Sequence, residues 1–237
     1  MDAGVAEKVR AAGGEIFAIS SEPQVLSDRA KEEWRLNFET VGDPHHEIAE
    51  DCRKRGWLDL FVNVHLGFIR QSTKKAKGWE PTHPKGYFQP GVLAVAENGR
   101  VLYRWEGVPT HNNIGGAAGR PTADHVWSRT EEALGEGALK VDAELDADPP
   151  LDMRGVPWPL FVSLLVANGW FLTGRGFESE KQIGAAALKL LGFLTSWIVA
   201  FLWLPVIPVT LACLAWLAYI IPKVRWLGKE FQNEKSR

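Results

Sequence analysis

The stretch LLGFLTSWIVAFLWLPVIPVTLACLAWLAYII, Leu190–Ile221, holds 32 consecutive residues without a charge. As one straight helix it would run about 48 Å at ~1.5 Å per residue, against a hydrocarbon core of about 30 Å. Pro205 and Pro208 lie in its middle, and proline removes a backbone donor and breaks or kinks a helix. The run therefore reads as two helices, roughly 184–204 and 209–221. They form either a tight membrane hairpin or one span followed by a kinked interfacial segment, the second helix being short for a full crossing.

The same reading extends outward. Gly155–Gly174 is also uncharged and carries Trp158 and Trp170 near its ends, where an aromatic belt would place them. Pro157, Pro159 and Gly169 interrupt it, so it reads either as a further span or as a buried or interfacial helix. Downstream, Lys223, Arg225 and Lys229 make a basic tail. Such a tail predicts a cytosolic C-terminus by the positive-inside rule. Membrane lipid, met through 158–221, is the partner this pattern predicts.

The rest of the chain is different in kind. Residues 1–150 hold 18 basic and 24 acidic residues, whereas 151–237 hold 9 and 5. Over the whole chain 27 basic and 29 acidic residues nearly cancel, which excludes a nucleic-acid binder driven by bulk positive charge. Two cysteines, Cys52 and Cys213, exclude a disulfide scaffold and a CxxC redox pair. The N-terminus lacks the basic and apolar regions of a secretory signal. The soluble part is thus expected to face a reducing cytosol from its place on a membrane. The expected division is a soluble domain over 1–134, a Gly-, Asp- and Pro-rich linker over 135–157 and a membrane-associated helical region over 158–237.

Within 1–134, helices and short apolar runs alternate. Residues 3–12 read as a helix stopped by Gly13-Gly14. Residues 15–20 have the short apolar pattern of a buried parallel strand. Ser21-Glu22-Pro23 opens a helix to about Trp34, with a capping hydroxyl and an early proline. A strand over 37–41 follows, then Asp43-Pro44 capping a helix that ends near Gly56. Alternation over 59–66 permits a strand. Residues 90–95 and 100–105 make a hairpin about Asn98-Gly99, and Pro121-Thr122 caps a helix over 123–134. The four strands at 15–20, 38–41, 91–96 and 100–105 are expected in one mixed sheet flanked by helices.

Three stretches carry a family resemblance. Glu15–Pro23 resembles the strand and turn after the catalytic helix of AhpC/TSA peroxiredoxin-like proteins. Phe38–Pro44 resembles their next strand with its Asp-Pro cap, and Gln89–Val101 their proline-led hairpin. The resemblance covers about residues 3–134 and implies an α/β, thioredoxin-like fold, incomplete at its first strand. It also implies an antioxidant thiol oxidoreductase. Such proteins hold a thiolate at the N-terminus of the first helix, where the dipole stabilises it. No cysteine stands in the matching helix here, and Pro90 occupies the family's peroxide-polarising arginine position. The resemblance also implies a central strand between 15–20 and 91–96. A truncated chain, direct pairing of the two flanking strands, or 59–66 filling the gap would each account for its absence.

Each chemical candidate has a plain structural reading beside it. Cys52 is flanked by Arg53, Lys54 and Arg55, which favour a thiolate, but its place late in a helix opposes one. Gln89 and Pro90 are the candidate substrate groove for a thiol or peptide ligand, with Pro90 as a cis-proline landmark. The loop at 113–121, through Gly115, Gly116, Gly119 and Arg120, is a candidate anion or partner site. His45 and His46 point about 100° apart on a helix and cannot share a metal. His65, His83, His111 and His125 lack zinc spacing. Neither a metal nor a cofactor is predicted. The expected function is a membrane-tethered peroxiredoxin-like oxidoreductase homologue without its catalytic cysteine. The alternative is a non-catalytic thioredoxin-fold binding or scaffold module on a membrane.

Overall fold

A computed structural model describes residues 3–63, 85–110, 113, 119–137, 141–153, 157–169, 172 and 183–231. The chain divides into two compact units, the second of which takes up the chain from Val156.

In the first unit, helix α1 (Ala3–Ala11) ends where Gly13 turns left-handed, at φ +81°. Strand β1 (Phe17–Ser20), helix α2 (Gln24–Trp34) and strand β2 (Glu39–Gly42) form a β-α-β crossover. The strands are parallel, with Phe17 opposite Glu39 and Ser20 opposite Gly42. The helix between them is tied to β2 by Gln24, whose Nε2 donates to Thr40 O (2.9 Å) and whose Oε1 accepts from Gly42 N (2.8 Å). The expected hydroxyl cap is absent. Pro23 holds the N-cap position, and Ser21 Oγ accepts instead from Phe88 N at 3.4 Å. Proline has no reach to the first-turn donors, so the crossover ties do the anchoring.

Asp43 does cap the next helix, α3 (Glu47–Lys54). Its carboxylate accepts from Glu47 N (2.7 Å) and Ala49 N (3.1 Å), the charge-assisted contact a helix start favours. Strand β3 (Val62–Asn63) pairs antiparallel with β4 (Tyr87–Phe88). Strands β5 (Gly91–Val95) and β6 (Val101–Glu106) make the expected hairpin. Gly99 N donates to Ala96 O and Gly99 sits at φ +87°, the left-handed position that a three-residue hairpin loop requires.

Strand β6 is the core of this unit. Val101, Leu102, Tyr103 and Trp105 are all buried, so both faces are covered. Strand β7 (Gly119–Pro121), helix α4 (Ala123–Gly135) and strand β8 (Leu151–Met153) complete the unit, β7 pairing antiparallel with β8.

Two expectations are corrected here. The strands do not form one sheet: among the described residues there are four two-stranded ladders, with β1–β2 and β5–β6 in separate ones. Strand β1 does not pair with β5, and β3 pairs with β4 rather than filling the gap; residues 64–66 of that candidate strand lie outside the described residues. Second, residues inside the stretch read as a linker are hydrogen-bonded onto β6. Val101 N donates to Asp142 Oδ1 (2.8 Å), Ala143 N to Val101 O (2.9 Å) and Asp146 N to Arg104 O (2.9 Å). The Asp142 side chain serves here as the acceptor for a strand N–H, a role composition alone does not reveal.

The second unit is helical. Helix α5 (Trp158–Ala167) is ten residues long, about 15 Å, which is half of what a span needs. It starts at Pro157 and gives way at Gly169, φ +70°. Helix α6 (Ile183–Trp203) and helix α7 (Val206–Phe231) are each long and apolar enough to cross a membrane. The break is confined to Leu204-Pro205, and α7 starts three residues earlier than read from sequence, because Pro208 fits inside its first turn, where its missing N–H is not needed. Helix α7 is also longer than expected. It continues through Pro222 and takes in the basic residues Lys223, Arg225 and Lys229.

Candidate functional site

Among the described residues of the first unit, three titratable side chains from separate stretches of chain meet. Tyr103 on β6 donates its hydroxyl to Asp146 Oδ2 at 3.0 Å. His125 on α4 meets the same oxygen through Nε2 at 2.8 Å. The ring of Tyr103 meets that of His125 edge-on at 6.1 Å. Period-two alternation puts Tyr103 on the inward face with Val101 and Trp105, and its polar tip needs a partner there. Helix α4 brings His125, and the chain folding back along β6 brings Asp146.

Burial, then the hydrogen bond and charge of Asp146, push the Tyr103 phenol well above the usual tyrosine range. Burial works to raise Asp146, but the hydrogen bonds from His125 and Tyr103 outweigh it and hold the carboxyl below its ordinary value. Both shifts have their cause in burial and in the hydrogen bonds within the cluster. The cluster is a clasp that fixes 141–146 to β6.

Cys52 lies on α3 and is half-buried. Its thiol pKa is raised, first by burial and then by Asp51, with Arg55 opposing. Of the three basic neighbours only Arg55 favours the thiolate here, and desolvation outweighs it. Cys213 is a free thiol on α7.

Gln89 is buried at 6 % exposure, and its N–H donates to Phe61 O at 2.8 Å. The peptide before Pro90 is trans, since the described residues contain no cis bond. Pro90 O accepts from Gly107 N at 2.7 Å. Gln89 is thus buried and Pro90 half-buried, both beside β3, β4 and β5.

Only part of the glycine loop lies among the described residues. Gly119 and Arg120 belong to β7, with Arg120 opposite Asp152. Gly119 N is already spent on Asn113 Oδ1 at 3.0 Å. Gly115 and Gly116 lie outside the described residues, as do His65, His83 and His111. His46 is buried in a left-handed conformation, φ 60°, and its Nε2 donates to Gly86 O at 3.1 Å. Burial lowers its pKa against the pull of Gly86 and Asp43. Among the described residues no three His, Cys, Asp or Glu side chains converge on a metal site.

Sequence reading missed the Tyr103–His125–Asp146 clasp. Its members stand 22 and 21 residues apart, and only the inward register of Tyr103 hinted that a partner was needed.

The second functional surface is the outside of α6 and α7. Only 6 % and 11 % of their most apolar windows are buried, whereas a core helix of this composition would be covered. No protein-family model, curated protein or solved structure matches the chain.

Proposed function

We propose that this protein is a membrane-anchored, non-catalytic module: an α/β unit of the AhpC/TSA peroxiredoxin-like kind, facing the cytosol and held on lipid by its C-terminal helices. The observation that carries the reading is the pair of long apolar helices, α6 and α7, left almost wholly uncovered by protein. Lipid is the surroundings in which such faces are stable. The family resemblance is supported by the β1–α2–β2 parallel crossover and the β5–β6 hairpin, which occur in the expected order. Lys223, Arg225 and Lys229 at the end of the apolar run support a cytosolic C-terminus. The non-catalytic role is supported by Cys52, whose thiol is held protonated by burial; peroxide reduction needs a thiolate beside donors for the departing oxygen.

Two measurements test this. In membranes from cells expressing the full chain, alkaline carbonate leaves the protein in the pellet and detergent releases it; release by carbonate alone would remove the anchor. Purified, reduced protein given hydrogen peroxide with a thioredoxin or glutathione recycling system shows no turnover. Turnover that vanishes in Cys52→Ser would make the module an enzyme.

A further inference from the structure

Taking the membrane anchor as read, we infer that the α6–α7 hairpin enters and leaves through one face of the membrane. Its apex stays inside the hydrocarbon, so that a single phospholipid leaflet is its partner surface.

The two helices fold back on each other. The rings of Phe193 and Trp216 lie 6.2 Å apart, and these residues stand eleven positions before Leu204 and eleven after Pro205. Equal distances from the break are what an antiparallel pair requires.

Charge is confined to the open end. Lys189 is the last charged residue of α6 before the break, and Lys223 the first of α7 after it. Leu190–Leu204 is 15 residues and Val206–Pro222 is 17, or about 22 and 26 Å at ~1.5 Å per residue. These charge-free parts exceed the ~15 Å of one leaflet and are shorter than the ~30 Å core, so a crossing, for which the whole helices are long enough, would draw Lys189 and Lys223 toward the hydrocarbon.

The apex has no charged, hydroxyl or amide side chain, and its one side-chain donor is the indole N–H of Trp203. Phe201–Pro208 is apolar and exposed throughout, with Trp203 at 82 % and Ile207 at 75 % exposure. A crossing hairpin would hold these residues against water on the far side. The backbone agrees with burial in lipid. A helix start leaves four N–H groups without intrahelical partners, each costly in hydrocarbon. At the start of α7 two of those four positions, Pro205 and Pro208, carry no N–H, and Leu204 N is satisfied by Ala200 O at 3.0 Å.

The open end has the features of a headgroup layer. Lys223 Nζ sits 4.7 Å over the Tyr219 ring, and Trp226 is half exposed. Helix α5, too short to span, packs at this same end: Asn168 Nδ2 donates to Ala186 O at 3.3 Å, and Trp158 lies against Gly228.

The test uses the full chain in a Cys52→Ser, Cys213→Ser background with a single cysteine from Leu204→Cys, or in a second protein from Lys229→Cys, each carrying an NBD fluorophore. The proteins are reconstituted into phosphatidylcholine–phosphatidylserine vesicles with dithionite in both water phases. The label at 204 is expected to stay fluorescent and blue-shifted, and the label at 229 to be bleached. Bleaching at 204 would overturn the inference and leave the anchor standing. Ile207→Lys, checked for native helicity by circular dichroism, is expected to lower vesicle binding by about tenfold or more, because it buries a charge. Unchanged binding would indicate a crossing apex. Unmodified full chain is also expected to float with triolein droplets coated by a phosphatidylcholine monolayer. Binding to vesicles but not droplets counts against the single-leaflet seat; binding to neither removes the anchor itself.

Discussion

Asp146 accepts two side-chain hydrogen bonds on one oxygen, from Tyr103 and His125, and its own N–H donates to β6. Asp146→Ala leaves a buried phenol without its acceptor, so a loss of roughly 1–3 kcal/mol is expected in urea unfolding. The pH dependence follows from the two shifts. Asp146 has a lowered pKa, so its contribution is complete above the unfolded value, about pH 4, and is lost as pH falls through the folded value. Tyr103 has a raised pKa, so its contribution is complete below about pH 10 and is lost as pH rises toward the folded value. Asp146→Asn is expected to flatten the acid limb of a stability–pH curve relative to the parent. Cys52 gives a second residue-scale prediction. With its thiol pKa raised, it is expected to react with a maleimide at pH 7 more slowly than free cysteine, measured in a Cys213→Ser background. Faster reaction would restore the thiolate reading.

At the scale of elements, the β1–α2–β2 crossover depends on how closely the chain can approach itself. A Cβ on Gly42 would stand 2.5 Å from both Gln24 N and Glu22 O, and backbone atoms cannot swing aside. Gly42→Ala is therefore expected to cost about 1–3 kcal/mol, as overpacking does, and to weaken amide protection across β1 and β2. Gly119 makes the contrast. A Cβ there would meet Met153 Sδ at 2.7 Å, the movable part of a pliable side chain. Gly119→Ala is expected to cost less than Gly42→Ala in the same unfolding measurement; equal losses would contradict this account of backbone contact. The hairpin β5–β6 was legible because its turn is written locally, in Asn98-Gly99. The clasp was not, because its carboxylate comes from a stretch whose Gly, Asp and Pro content resembles a connector.

At the scale of the molecule, the two units answer to different solvents. The first buries its apolar residues on β6 and α1; the second leaves most of α6 and α7 exposed. A chain ending at Gly155 is expected to remain in the supernatant after centrifugation without detergent, while the full chain sediments with membranes. Sedimentation of the shortened chain with lipid would show that the first unit contributes a membrane contact of its own.

The sequence by itself determined the division between a charged α/β part and an apolar helical part, the proline break near residue 205, and the order of strands and helices from α1 to α3 together with the β5–β6 hairpin. Each of these rests on local chemistry: a run of residues without charge, a missing N–H, a glycine that tolerates positive φ. Only the tertiary structure decided which strands share a ladder, where the aspartates of 141–146 attach, and how Cys52 titrates. Those outcomes depend on which distant groups are brought within about 3 Å and taken out of water, and neither proximity nor desolvation is a property of a short stretch of chain.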